Sequence, residues 1–146
     1  MRTELLTGWW IDTGKLTPLL EANRLLLERL ERRVDGTVDD ASTVEGRVVV
    51  EDGAHIVNST LRGPIAIGRG TRIVDSFIGP FTAIGNGCEV VHSEIEHSVV
   101  MDDSKVLDIP RLEDSLIGRE AVVNRSQLRP RALRLMVGDH CQIDVE

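Results

Sequence analysis

Tyrosine is absent from this chain of 146 residues, and two Trp and two Phe make up its whole aromatic complement. Wide cores are filled by rings, so an aromatic content of 3% points to a narrow interior lined by aliphatic side chains. Cysteine is limited to Cys88 and Cys141. Two isolated thiols make no disulfide framework, and they read as buried free cysteines of a reducing compartment. Basic charge is also short: 17 Lys and Arg against 24 Asp and Glu leave a net charge of −7. With no basic face, nucleic acid is excluded as a partner. The cluster Arg125, Arg129, Arg131 and Arg134 reads as solvated surface balanced by nearby acids. No run is long or apolar enough to span a membrane, and no signal sequence precedes Gly8, so a cytoplasmic protein with no membrane partner is expected. A chain of this length holds one domain with a modest core.

What the chain does have is a period. VEGRVVVEDGAHIVNST from Val44, LRGPIAIGRGTRIVDSF from Leu61 and IGPFTAIGNGCEVVHSE from Ile78 superimpose when slid by 17 residues. Aliphatic residues recur in three columns: Val44, Leu61, Ile78, Ile95; Val50, Ile67, Ile84, Met101; and Ile56, Ile73, Val90, Leu107. Steps of six, six and five residues suit a short strand plus a corner, so three steps close a triangular coil. A helical repeat needs about 30 residues or more, and no leucine-rich consensus is present. Such a solenoid buries each unit only against its neighbours. About three aliphatic side chains per coil, at about 1.5–3 kcal/mol each, barely offset the ordering of the backbone. A single coil could not stand alone.

The corners carry their own signature. Gly53, Gly63, Gly70, Gly87 and Asn86 tolerate unusual backbone angles, and Gly68, Gly79 and Gly85 follow the aliphatic positions. The short corner recurs as Asn58-Ser59, Asp75-Ser76 and His92-Ser93, and Asp114-Ser115 repeats it 22 residues on. That gap predicts five extra residues looped out near 107–113, where Pro110 suits a bulge. Small or β-branched residues two positions before each ladder residue share the interior: Ser42, Val48, Ala54, Thr71, Ser76, Cys88, Ser93 and Val99.

Ahead of the repeats, Thr17-Pro18 opens a helix predicted over 17–34, with Leu19, Leu20, Leu26, Leu27, Leu30 and Val34 at a 3.6-residue period. Asp35-Gly36 ends it. The leucine face needs a surface, either the side of the prism or a neighbouring subunit. A place as cap on the first coil is also open to it.

IGRGTR at Ile67 and IGNGCE at Ile84 resemble the hexapeptide repeat of left-handed parallel β-helices. Gly8-Trp9-Trp10-Ile11-Asp12-Thr13-Gly14, read with LLEANRLLLE at Leu19, resembles the last strand and helix of the catalytic domain in sugar-phosphate nucleotidylyltransferases, above all the long-form glucose-1-phosphate thymidylyltransferases. RLEDSLIG at Arg111 and RSQLRPRALRLMVGDHCQIDVE at Arg125 are similar to the same group, so the resemblance runs nearly end to end. It implies a mainly β chain: a catalytic-domain remnant over 1–16, the linking amphipathic helix over 17–34, and a left-handed parallel β-helix over 35–146.

The resemblance also implies a reaction, in which a nucleoside triphosphate and a hexose 1-phosphate give a nucleotide sugar and pyrophosphate. Mg²⁺ neutralises the charge gathering at the attacked phosphorus. Asp12 then stands where the family holds one of two metal carboxylates. An Asx-turn before Gly14 is the structural alternative for it. Ile11 departs from the Lys usual at that place. The Gly-rich triphosphate loop is missing. GRGTR at Gly68 echoes it only inside a coil, where it opens no helix. The chain alone is therefore expected to be inactive and to bind no cofactor. It would serve oligomerisation, with a trimer favoured by analogy, and support of an absent catalytic domain. Structural roles are expected for Gly68, Gly79, Gly85, Ser59, Ser76, Ser93 and Ser115.

Two alternatives use the same fold. A hexapeptide acyltransferase needs a catalytic His, and His55, His92, His97 and His140 are available, none in an extended loop. A zinc centre like that of the γ-class carbonic anhydrases needs three imidazoles, and His92 and His97 supply two at a suitable spacing. Asn58 stands where a third would be needed.

Overall fold

The computed structural model describes residues 16–125 and the backbone of 133–136. Asp12, the Trp-Trp motif, His140 and Cys141 lie outside the described residues. The described residues form a helix, α1 (Leu16–Leu27), and then wind through eighteen strands, β1 to β18 in chain order. Strands three apart in sequence pair in parallel, which is the mark of a coil.

Three sheets form the sides of a prism. The first holds β1 (Arg33–Val34), β4 (Val48–Val50), β7 (Ile65–Ile67), β10 (Thr82–Ile84), β13 (Val99–Val100) and β16 (Leu116–Ile117). The second holds β2 (Thr37–Val38), β5 (His55–Val57), β8 (Arg72–Val74), β11 (Glu89–Val91), β14 (Lys105–Leu107) and β17 (Val122–Arg125), with β18 (Leu133–Met136) at its end. The third holds β3 (Thr43–Glu45), β6 (Thr60–Arg62), β9 (Phe77–Ile78), β12 (Glu94–Glu96) and β15 (Leu112–Glu113). β18 runs antiparallel to β17 and covers the edge that the last coil would leave open.

The aliphatic ladder lines the interior. Leu61, Ile67, Ile73 and Ile78 are fully buried, and Ile56 and Ile95 nearly so. Phe77 and Phe81 stay on the outside, half-buried. Two ladder positions differ from the strict 17-residue reading. Val100, not Met101, pairs with Ile84, and Val106, not Leu107, stands in register with Val90. Met101 and Leu107 face outward and are half-buried, and Ser98 takes the inward place expected for Val99. The cause is a shortened corner. Six residues separate Ile78 from Ile84, but five separate Ile95 from Val100.

The five-residue loop expected near 107–113 is not formed. Five residues separate Val90 from Ile95 and six separate Val106 from Leu112, so one extra residue at Asp108–Arg111 restores the register lost a corner earlier. Asp114-Ser115 is accordingly not the corner of Asp75-Ser76. It repeats His97-Ser98 on the next coil, and the Ser115 amide donates to Ser98 Oγ at 3.1 Å. At the true fourth step of the serine corner, the Ile109 amide donates to Ser93 Oγ at 3.0 Å.

α1 is shorter than its periodicity predicts and does not cap the first coil. Leu16 and Leu20 pack with Leu116, Val99 and Met101 on the outside of the first sheet. Farther along, Asn23 Nδ2 donates to the Phe81 carbonyl at 3.3 Å, and the Arg24 guanidinium lies 5.1 Å from the Phe81 ring centroid. Past the helix end, Arg47 Nη1 donates to the Glu28 carbonyl. The helix therefore runs from the coil of β16 back to that of β4. Twelve residues give about 18 Å of helix, and four gaps between coils give about 19 Å. A longer helix would take the residues that form β1 of the first coil. Instead Arg29 and Leu30 tighten the last turn, and Arg33–Val34 are drawn into β1 beside Val49 and Val50.

Candidate functional site

The corners concentrate the chain's unusual backbone and its polar side chains. Between the second and third sheets, Asn58, Asp75, His92 and Asp108 stack with φ of 46°, 51°, 50° and 57°. Short polar side chains tolerate this left-handed region best, which explains why Asn, Asp and His recur there. Behind them runs a serine ladder. Each Oγ accepts the amide of the next coil's serine: Ser59 to Ser42 at 3.0 Å, Ser76 to Ser59 at 3.0 Å and Ser93 to Ser76 at 3.1 Å. Ser59, Ser76 and Ser93 also donate to the carbonyls two residues earlier, at 2.8–2.9 Å. Every one of these buried hydroxyls both gives and receives a hydrogen bond.

On the outer side of the same corner lies an open groove of about 430 Å³, lined by Asp75, Phe77, His92, Glu94, Pro110 and Arg125 among others. Asn58 Nδ2 donates to Asp75 Oδ1 at 2.8 Å, and His92 Nδ1 lies 2.8 Å from Asp108 Oδ1. The carboxylate holds the ring through Nδ1 at the rim of the groove. At the corner between the third and first sheets, His97 Nδ1 lies 2.5 Å from Asp114 Oδ1, and Phe81 meets the His97 ring edge-on at 6.4 Å. His92 and His97 thus flank β12 on two different corners, while His55 sits exposed on the second sheet between Thr37 and Arg72. The three described histidines are not brought together, and among the described residues no cluster of three or more His, Cys, Asp or Glu could hold a metal ion.

Cys88 is buried in the interior, where its Sγ donates to the Met101 carbonyl at 3.1 Å and burial pushes its thiol up. Asp39 is held below the usual carboxylate range, first by the Ser42 hydroxyl at 2.6 Å and then by the Asn58 amide. Gly68 is required by closeness and not by φ: a Cβ there would lie 2.5 Å from the Gly85 carbonyl of the next coil.

The His–Asp pairs and the Phe81 anchor for α1 were not singled out from the sequence. The signal was nonetheless in the period, since His97 and Asp114 are 17 apart and His92 and Asp108 are 16 apart. Asp12 lies outside the described residues, so its metal role stays an expectation.

Fold and corners together define a three-sided parallel β-helix of the hexapeptide-repeat class, carrying one helix along its side. A GDP-perosamine N-acetyltransferase from Caulobacter crescentus shares this architecture, with a TM-score of 0.50 at 14% identity over 83% of this chain and 66% of that one. At that identity the likeness concerns the fold alone. No family model matches the chain. Along its whole length, however, it is similar to glucose-1-phosphate thymidylyltransferases. It is 43% identical over 146 residues to that of Streptomyces antibioticus and 44% identical over 145 residues to that of Streptomyces griseus. It is also 41% identical over 144 residues to the low-salt glycan biosynthesis nucleotidyltransferase Agl11 of Haloferax volcanii. The chain spans about two fifths of the length of these relatives, namely 41%, 41% and 40%.

Proposed function

We propose that this chain is the assembly and support region of a glucose-1-phosphate thymidylyltransferase, an enzyme that joins dTTP and glucose 1-phosphate into dTDP-glucose and pyrophosphate. The observation that carries the reading is similarity over the entire chain to two fifths of such enzymes. The solenoid geometry supports the division of labour. A prism with parallel sides offers extended surfaces, and among the described residues its corners hold no constellation that would transfer a nucleotidyl group.

In this reading 1–16 belongs to the catalytic unit, Asp12 contributes one carboxylate to its Mg²⁺, and the triphosphate loop lies in residues outside this chain. The prism joins copies into a closed homo-oligomer, a trimer by analogy with other hexapeptide proteins. The setting is cytoplasmic, where the nucleotide substrates are. Among the described residues no helix is long and apolar enough to cross a membrane.

The test is a chimera in which this chain replaces the matching two fifths of the Streptomyces antibioticus enzyme. It should form dTDP-glucose, while the isolated chain should form none and should elute as an oligomer in size-exclusion chromatography with light scattering. A folded chimera that is inactive, or an isolated chain that is monomeric at micromolar concentration, would overturn the reading. A second reading, acyl transfer to a sugar, has in its favour the carboxylate-oriented His92 in an open groove. Acetyl transfer from acyl-CoA that disappears in His92→Asn would establish it.

A further inference from the structure

Among the described residues, three places join Asn or Asp to glycine: Asp35-Gly36, Asp52-Gly53 and Asn86-Gly87. Such a pair carries a latent reaction. The glycine amide nitrogen attacks the side-chain carbonyl carbon of the residue before it and closes a five-membered imide. Ammonia leaves from Asn, whereas water leaves from the protonated carboxyl of Asp. A water molecule then opens the ring on one side or the other, giving Asp or an isoaspartate whose main chain runs through the former side chain. Glycine favours the attack because no Cβ obstructs it. In an unfolded chain Asn-Gly reacts ahead of Asp-Gly, and asparagine is accordingly a heat-labile residue.

The fold decides which pair is free to react. Asn86-Gly87 is exposed, yet it is tied to the coils on both sides. The Gly87 amide, which would have to attack, donates to the Arg69 carbonyl at 2.8 Å. Asn86 Oδ1, on the carbon under attack, accepts the Arg69 amide at 2.7 Å. From the other side, the Asn86 amide donates to Asp102 Oδ1 at 2.9 Å, and its carbonyl accepts the Asp103 amide at 2.9 Å. Ring closure would break the bonds to Arg69 and swing the side chain out of its ladder. Asp35-Gly36 is also held: the Gly36 amide donates to the Val50 carbonyl at 3.3 Å, and Arg33 Nε donates to Asp35 Oδ2 at 2.8 Å.

Asp52-Gly53 occupies the corner of Asn86-Gly87 two coils earlier, with Gly53 at φ 80° against 66° for Gly87. At this corner the amides of Gly70, Gly87, Asp103 and Glu120 each donate to a carbonyl of the coil before, at 3.4, 2.8, 2.9 and 3.0 Å. The Gly53 amide has no acceptor among the described residues. Position explains the difference, because one coil earlier the Asp35 and Gly36 amides are turned onto the Val50 carbonyl and that corner is not repeated. The Asp52 carboxylate has no hydrogen bond or ion pair among the described residues, and both Asp52 and Gly53 are exposed. The Asx-Ser corners offer no rival, since the amides of Ser59, Ser76 and Ser115 are spent on the serine hydroxyls of the coil before.

We infer that Asp52-Gly53 is the place where the folded chain converts spontaneously to isoaspartate, whereas Asn86-Gly87, the faster pair by its chemistry, is locked by its neighbouring coils. Folding thus inverts the order of the two sites. An isoaspartate at 52 adds a methylene to the main chain between β4 and β5. The ladder depends on corner length, as the steps before Val100 and Leu112 show, so the change loosens the first coils. At Asn86 the same change would fall between β10 and β11, which pair on both sides, and would divide the prism in its middle.

The experiment ages the full chain at neutral pH, folded and in guanidinium chloride, with circular dichroism confirming the two states. Tryptic peptides 48–62 and 73–105 separate the sites. Mass spectrometry reads ammonia loss from Asn86, and enzymatic methylation of isoaspartyl carboxyls reads Asp52. Folding should slow the reaction at Asn86 at least about 100-fold and that at Asp52 by less than about threefold, since a bonded amide reacts only after local opening. Asp52→Glu, whose ring would need six members, should remove the isoaspartate from peptide 48–62. Independently, the Gly53 amide should exchange its hydrogen at least about 100-fold faster than that of Gly87. Product at Asn86 exceeding that at Asp52 in the folded chain, equal protection of the two amides, or isoaspartate that persists in Asp52→Glu would each overturn the inference.

Discussion

Single residues show how little tolerance a narrow prism has. Thr82 sits fully buried in the column of Val48 and Ile65, and its Oγ1 has no hydrogen-bond partner among the described residues. A buried hydroxyl without a partner costs about 1–3 kcal/mol. Thr82→Val keeps the shape, removes the hydroxyl and should raise the stability measured by chemical denaturation by about 1 kcal/mol; a loss of that size would refute the assignment. Asp39 illustrates the opposite balance, since the Ser42 hydroxyl and the Asn58 amide stabilise its ionised form. With its folded pKa depressed, its contribution is present above the ordinary carboxylate value near pH 4 and is lost as pH falls through the folded value. Unfolding midpoints between pH 6 and pH 2 should therefore fall less steeply for Asp39→Asn than for the wild-type chain. Equal slopes would show that the hydrogen bonds carry no linkage.

At the scale of elements, the helix depends on the prism more than on its own propensity. Twelve residues form a marginal helix in water, so α1 is held by its buried leucines. Leu20→Ala should cost about 2–4 kcal/mol, and the loss should appear first as reduced helicity in the far-ultraviolet. Undiminished helicity at full stability would mean that α1 stands without the sheet. Helix presence and the inward Leu20 and Leu27 were legible in the 3.6-residue period, whereas Leu26 and Val34, read onto the same face, are exposed, and the buried Leu16 was not read. Its end was not, because Leu30 and Val34 continue the helical pattern although Arg33–Val34 are taken into β1. The strands were legible too, through their aliphatic columns. The corner lengths were not: a residue lost before Val100 and one gained before Leu112 cancel, and the sequence offset of Asp114-Ser115 imitated a five-residue loop.

For the whole molecule, stability is a sum over neighbouring coils, because each coil touches only those above and below it. Amide hydrogen exchange should therefore be slowest in β7, β8, β10 and β11, which pair on both sides, and faster in β1 and β2, which pair on one side only. Uniform protection along the prism would argue for a single cooperative unit. Assembly acts at the same scale. The three sides differ: α1 lies along the first, the second alternates aliphatic with charged residues, and the third carries the ion pairs of Arg62 and Arg111. Only the sheet register shows which residues share a side.

The amino-acid sequence by itself determined the coil, since a 17-residue repeat of inward aliphatics can bury its apolar edge in no other way. It also determined the kinship, through motifs that span the chain. Tertiary structure decided the register where corners change length, the lie of α1 along the first sheet, and the pairing of His92 with Asp108 and His97 with Asp114. The physical reason is common to all three. A repeat specifies what each residue does within its own coil, whereas contacts between coils and helix depend on lengths that only the stacked backbone makes equal.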